Sequence, residues 1–221
     1  MRRLATPVAA RRAAAAIIAC LALTACGLLQ AEPTAPPQGL PSGADVDTAT
    51  RQLNALSVRN AGSMSGYSRD LFHVWASQGG GCDTRDVVLK RQGSDLQVTS
   101  DCKITSGTWH SPYNDKSYTN PRQIQIDHLV PLGNAWVSGA RNWSASQRAA
   151  FANDLTRPQL IAVDASDNES KGDSGPDEWK PPNQGFWCTY AEDWITVKAY
   201  WKLSVTTAER TALDDMLQTC T

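Results

Sequence analysis

Two short stretches carry side chains that could do chemistry together. In "IQIDHLVPLGNAW", residues 124–136, Asp127 and His128 stand side by side in an apolar run that turns at Pro131. Some forty residues later, "DASDNESKGD" presents Asn168 and, three positions on, Lys171. A histidine, with its unperturbed pKa near 6.5, can take a proton from water at neutral pH. A carboxylate and an amide oxygen are hard donors for a divalent cation. Lys171, spaced three residues from Asn168, shares its helical face. A base, oxygen donors and a cation in one set suit a hydrolytic reaction. Singly, each residue has a plainer role. His128 shares its alternation face with Ile124 and Ile126 and alone reads as a core histidine, and Lys171 alone reads as a solvated charge.

The elements around them must do the positioning. "IQIDHLV" alternates like a strand, and "QLIAV" at 159–163 is a second brief strand. Ser166-x-x-Glu169 has capping-box spacing, which starts a helix at Asp167. In a regular strand Asp127 and His128 project to opposite faces, so they flank one phosphate only if the strand ends there, as Pro131 suggests. Upstream, "VDTATRQLNALSVRN" spaces Ala49, Leu53 and Leu56 along one helical face. "CDTRDVVLKRQGSDLQVTSDCKITSGTWHSPY" reads as short strands with turns at Gly93-Ser94 and Ser106-Gly107. Downstream, Ser144-x-x-Gln147 and Thr206-x-x-Glu209 are further capping boxes. Trp187, Tyr190, Trp194, Val197 and Trp201 form a helical stripe that reads as core. The expected fold class is α+β.

The first 25 of the 221 residues, with Arg2, Arg3, Arg11 and Arg12 ahead of an apolar run, read as an export leader. It closes on Leu23-Thr24-Ala25-Cys26, which resembles a lipobox and makes Cys26 the expected lipidation site. Residues 26–45, rich in Pro, Ala and Gly, read as a flexible tether, and residues 46–221 as the domain. Loss of the leader's four arginines leaves 17 basic against 22 acidic residues, a net charge of −5, so no global basic footprint invites nucleic acid. Cys82, Cys102, Cys188 and Cys220 remain in an exported chain. Of three possible connectivities we favour the local one, Cys82–Cys102 and Cys188–Cys220. A zinc site is the weaker alternative, since no CxxC pair occurs.

The order strand, excursion, strand, helix, carrying Asp127-His128, Asn168 and Lys171, resembles the ββα-metal (HNH) nuclease motif. With "IDHLVPLGNAWVSGARNW", "FANDLTRPQLIAVDASDNESKGDSGPDEWKPP" and "CTYAEDWITVKAYWKL", residues 50–220 resemble the exported HNH endonucleases that share a domain with the C-terminal part of GmrSD restriction enzymes. The resemblance implies a ββα-metal core with short strands, surrounding helices and two disulfides. It makes His128 the general base, and Asp127 and Asn168 ligands of one divalent metal, Mg²⁺ by default or Mn²⁺. The family's middle asparagine is here Gln159, a departure; Gln159 could still fix the loop by hydrogen bonding, and Asn153 is a possible substitute. The substrate implied is DNA, or RNA, gripped by local cations such as Lys171, Arg141, Arg148 and Arg157. His73 and His110 fit no ligand pattern. The expected location is outside the cell membrane, lipid-anchored or secreted, and no protein partner is implied. The alternative is a non-catalytic surface lipoprotein using the same scaffold as a binding module, consistent with the acidic balance.

Overall fold

The computed structural model describes residues 39–221, so the leader, Cys26 and most of the tether lie outside the described residues. The C-terminal half builds the larger core. Helix α1 (Val46–Ala55) is capped by Asp45, whose carboxylate accepts from Thr48 N, and it buries Ala49 and Leu53. It packs on α6 (Trp187–Trp201) and α7 (Thr207–Leu217). The aromatic stripe of α6 faces inward as the spacing requires, with Tyr190, Trp194 and Val197 fully buried and Trp187 and Trp201 at the margin. The Thr206/Glu209 capping box opens α7. Glu209 is itself buried, where it pairs with Lys198 at 2.5 Å and accepts from the Trp194 indole at 2.7 Å. Residues 40–45 lie against α6, where Ala44 N donates to Thr196 Oγ1 at 2.8 Å. Among the described residues no helix is long and apolar enough to cross a membrane.

Before this half come a small antiparallel hairpin, β1 (Ser77–Gly79) with β2 (Cys82–Asp83), then α2 (Thr84–Gln92). Next is a three-stranded antiparallel sheet, β3 (Gly93–Val98), β4 (Ile104–Ser111) and β5 (Lys116–Tyr118). Two expectations are corrected here. Residues 84–92 are helical, not extended, because Asp83 and Asp86 close a reciprocal capping box. Gly93 and Gly107 lie inside strands, not at turns. A Cβ on Gly93 would stand 2.5 Å from the Trp109 indole nitrogen, and one on Gly107 would stand 2.4 Å from Leu96. Both glycines make room for side chains crossing the sheet, a common use of glycine within strands. The actual turn is Thr99–Lys103, closed by Thr99 N to Lys103 O at 2.9 Å. Disulfides join Cys82 to Cys102 and Cys188 to Cys220, closing loops of 20 and 32 residues. On the chain-entropy estimate each stabilises the fold by about 3 kcal/mol.

Between the two halves lie β6 (Ile124–His128), α3 (Leu132–Val137), α4 (Ala145–Ala152), β7 (Leu160–Asp164) and α5 (Ala165–Lys171). Strands β6 and β7 pair antiparallel, with Asp127 opposite Ile161 and His128 opposite Leu160. Every residue of β7 is buried because the ribbon has a core on each side. Ile124, Ile126, Leu160 and Ala162 pack with Val88, Leu89 and Trp109, whereas Ile161 and Val163 join the larger core. Helix α5 starts two residues before the expected Asp167, because Asp164 is the cap, accepting from the N–H groups of Ser166 and Asp167. The ββα order is therefore β6, β7, α5, within an α+β domain held by two disulfides.

Candidate active site

Strand β6 ends at His128, and both of its last side chains border a cleft of about 360 Å³. Asp127, His128 and Asn168 line it together, with Tyr67, Arg69 and Asp173. The imidazole is almost wholly buried, with its ring stacked on Trp75 at 5.5 Å. His128 Nε2 lies 2.9 Å from the carbonyl of Ala152. A carbonyl only accepts, so this contact fixes the proton on Nε2 and leaves Nδ1 with its lone pair free. Burial pushes the His128 pKa down to about 3, against the Ala152 bond and helped by the charges of Arg69 and Lys171. The ring is therefore neutral across the neutral range, with Nδ1 as its acceptor atom.

Asp127 is buried and held from two sides. The Tyr113 hydroxyl donates to Oδ2 at 2.5 Å, and Lys171 Nζ reaches Oδ2 at 2.8 Å and Oδ1 at 3.0 Å. Burial raises the carboxyl pKa and lowers that of the ammonium, each partly offset by the other's charge. A carboxylate offers about four lone-pair positions, and three hydrogen bonds from two donor groups occupy them here, which leaves one on Oδ1. Lys171 also donates to His128 O at 3.0 Å. Its side chain is 0 % exposed, which corrects the expectation that it grips phosphate: α5 points it inward, where it ties Asp127 and His128 to the helix. Asn168, one turn earlier on α5, donates Nδ2 to Gln125 Oε1 at 2.6 Å and keeps its oxygen unbonded. A carboxylate oxygen and an amide oxygen lining a common cleft are hard donors of the kind Mg²⁺ or Mn²⁺ takes, although the Lys171 ammonium already sits on that carboxylate. Among the described residues the one group of three His, Cys, Asp or Glu donors is Cys188, Glu192 and Cys220. Its sulfurs are bonded to each other, so they bind no metal.

Gln159 clamps the segment that follows His128. Its Oε1 accepts from Val130 N at 3.1 Å, its Nε2 donates to Val130 O at 2.9 Å, and its backbone O accepts from Leu129 N. The longer amide thus reaches the loop in full. Gln159→Ala will cost roughly 2–6 kcal/mol, since it strands two buried backbone groups at about 1–3 kcal/mol each. A urea midpoint unchanged from wild type would contradict the clamp. Asn153 does not replace it. Its side chain bonds His73 O and Ala76 N, on the segment before β1.

The other expected cations stand away from the cleft. Arg148 donates to the carbonyls of Leu71 and Trp143, and Arg157 pairs with Asp154 beneath Tyr200. Arg141 is exposed but does not line the cleft. His73 is exposed, and His110 meets Asp115 at the surface. Sequence reasoning did not find Tyr67, Arg69, Trp75 or Tyr113, because none falls in a spacing pattern with the Asp-His pair.

The model of the C-terminal domain of GmrSD restriction endonucleases matches residues 83–216, which takes in Asp127, His128, Gln159, Asn168 and Lys171. The chain belongs to this family. The family's domain is HNH-containing and nuclease-like, and β6, β7 and α5 lie within the matched span. A protein of Arthroderma benhamiae described as an uncharacterized secreted protein is 50% identical over 188 residues, 85% of this chain and 91% of its own. No solved structure matches.

Proposed function

We propose that this member of the family is a metal-dependent endonuclease that hydrolyses phosphodiester bonds of DNA, and of RNA where a strand fits the cleft. The observation that carries the reading is the neutral His128 with Nδ1 free, in one cleft with a carboxylate and an unbonded amide oxygen. His128 Nδ1 takes the proton of the attacking water, while the Ala152 carbonyl holds the ring and its tautomer. Asp127 and Asn168 would hold the cation. When bound, a divalent ion neutralises the phosphate and supports the leaving oxygen. Tyr113 and Lys171 keep Asp127 oriented, and Gln159 keeps the loop after His128 in register.

We place the protein outside the cell. The leader, the two disulfides and the relative described as secreted support export, and the lipobox-like end of the leader supports a lipid anchor at Cys26. A second reading, a non-catalytic binding module on the same scaffold, is favoured by the pairing of Asp127 with Lys171, which opposes a cation at that carboxylate. Calorimetric titration with Mn²⁺ separates the two. The endonuclease reading expects saturable binding that Asn168→Ala weakens about tenfold or more, together with plasmid cleavage that requires metal. Equal binding by wild type and Asn168→Ala, or no binding, supports the module instead.

A further inference from the structure

We propose that Arg69 is the phosphate-binding cation of the cleft, presented by a strap, residues 62–76, that lies upstream of the family-matched domain. The inference rests on the phosphodiesterase reading and adds the residue that seats the substrate backbone. Arg69 lines the same cleft as Asp127, His128 and Asn168. It is exposed, and among the described residues its guanidinium has no ion pair and no hydrogen bond. The alternatives are committed elsewhere: Lys171 to Asp127, Arg148 to two carbonyls, and Arg157 to Asp154. Lys171 already offsets Asp127, so Arg69 is the cation of the cleft that no ion pair holds among the described residues, and the exposed Asp173 is the other charge there. Asp173 is tied to the Gly133 N–H at 3.0 Å. A guanidinium can meet two phosphate oxygens at once, which suits a group that must hold a diester in register.

The strap is a fixed wall. Arg69 opens a single 3₁₀ turn, Arg69–Phe72, capped by Ser68, and Phe72 at its end is fully buried. Arg148 donates to Leu71 O, and the Asn153 side chain grips both His73 O and Ala76 N. His73 and Trp75 both adopt positive φ, 45° and 60°, a conformation that bulky residues keep only where surroundings enforce it. The second of these lays the Trp75 ring against His128. The strap thus braces the imidazole and presents a cation on the same cleft.

The test is anisotropy titration of a short labelled DNA duplex against a salt series, with Arg69→Ala, Arg69→Lys and Arg69→Glu in the full chain. Each variant is measured alone and combined with His128→Ala. Arg69→Ala should weaken binding about tenfold, raise KM more than it lowers kcat, and flatten the salt slope by about one phosphate contact, or 0.9. Arg69→Lys should restore the slope with part of the affinity, and Arg69→Glu should bind least. A purely structural role would leave the slope unchanged. Binding by Arg69→Ala within twofold of wild type at the same slope overturns the proposal, as does a wild-type protein that binds no duplex. Wild type that cuts nothing, while Arg69 still sets the slope, sinks the endonuclease reading and leaves the phosphate site standing.

Discussion

Replacing Lys171 with methionine lowers the unfolding free energy by about 3–5 kcal/mol, the cost of leaving a buried charge without its partner. Few surface-to-core changes in a domain of this size should cost more, since total stabilities are about 5–15 kcal/mol. The reason is geometric. Lys171 donates to both oxygens of Asp127 and to the carbonyl of His128, so its loss strands a carboxylate and a backbone acceptor in the core. Methionine keeps much of the volume, so the loss is electrostatic rather than a cavity. Lys171→Met combined with Asp127→Asn should recover a good part of the stability, because the neutral amide no longer needs a counter-charge. Activity should not return with it, since the cation loses its carboxylate. Urea unfolding of the two single variants and the double variant decides the matter. A Lys171→Met loss below about 1 kcal/mol would return Lys171 to the role of a free phosphate ligand.

His128→Ala should reduce the rate of phosphodiester cleavage by about 10²–10⁴, the range of a positioned general base. Among the described residues the imidazole has one hydrogen bond, to Ala152 O, and one ring neighbour, Trp75. Its removal therefore unpairs one buried carbonyl and opens a modest void, for a cost of about 1–3 kcal/mol. That is small enough for the fold to persist, and circular dichroism below the transition should show it. The loss of rate must then come from chemistry. Because burial holds the ring neutral, acidity near pH 6 should not switch the base off as it would an exposed histidine.

Much of the site's frame was legible. Ile124, Ile126 and the turn at Pro131 mark β6, the apolar run 160–163 marks β7, and a helix rich in short polar residues follows. These local patterns decide local structure, and the Ser144/Gln147 and Thr206/Glu209 capping boxes form as spaced, whereas α5 is capped by Asp164 and not by Ser166. The partners of Asp127 were not legible. Tyr113 comes from the far end of the β4–β5 excursion and Lys171 from the inner face of α5, and nothing in their spacing says they meet. A lysine at helical spacing from Asn168 reads as solvent-facing until the strands that cover it are known. Helix α2 hid for a different reason: Val87 and Val88 favour strands, and the Asp83–Asp86 box uses an aspartate where glutamate or glutamine is usual. Gly93 and Gly107 misled because a glycine that admits an indole looks, in sequence, like a glycine that turns the chain. Arg69 was invisible for the same reason as Tyr113, since only the tertiary fold brings the strap to the cleft.

The central claim is that Asp127, His128 and Asn168 act as one metal-dependent hydrolytic centre. The most direct measurement incubates supercoiled plasmid with the purified full-length domain and with its His128→Ala variant, in Mg²⁺, in Mn²⁺ and in chelator. Nicking and linearisation by the wild type with metal, abolished by chelator and lowered at least a hundredfold by His128→Ala, is the predicted result. Plasmid left intact by both proteins in every metal, or cut equally by both, would contradict it.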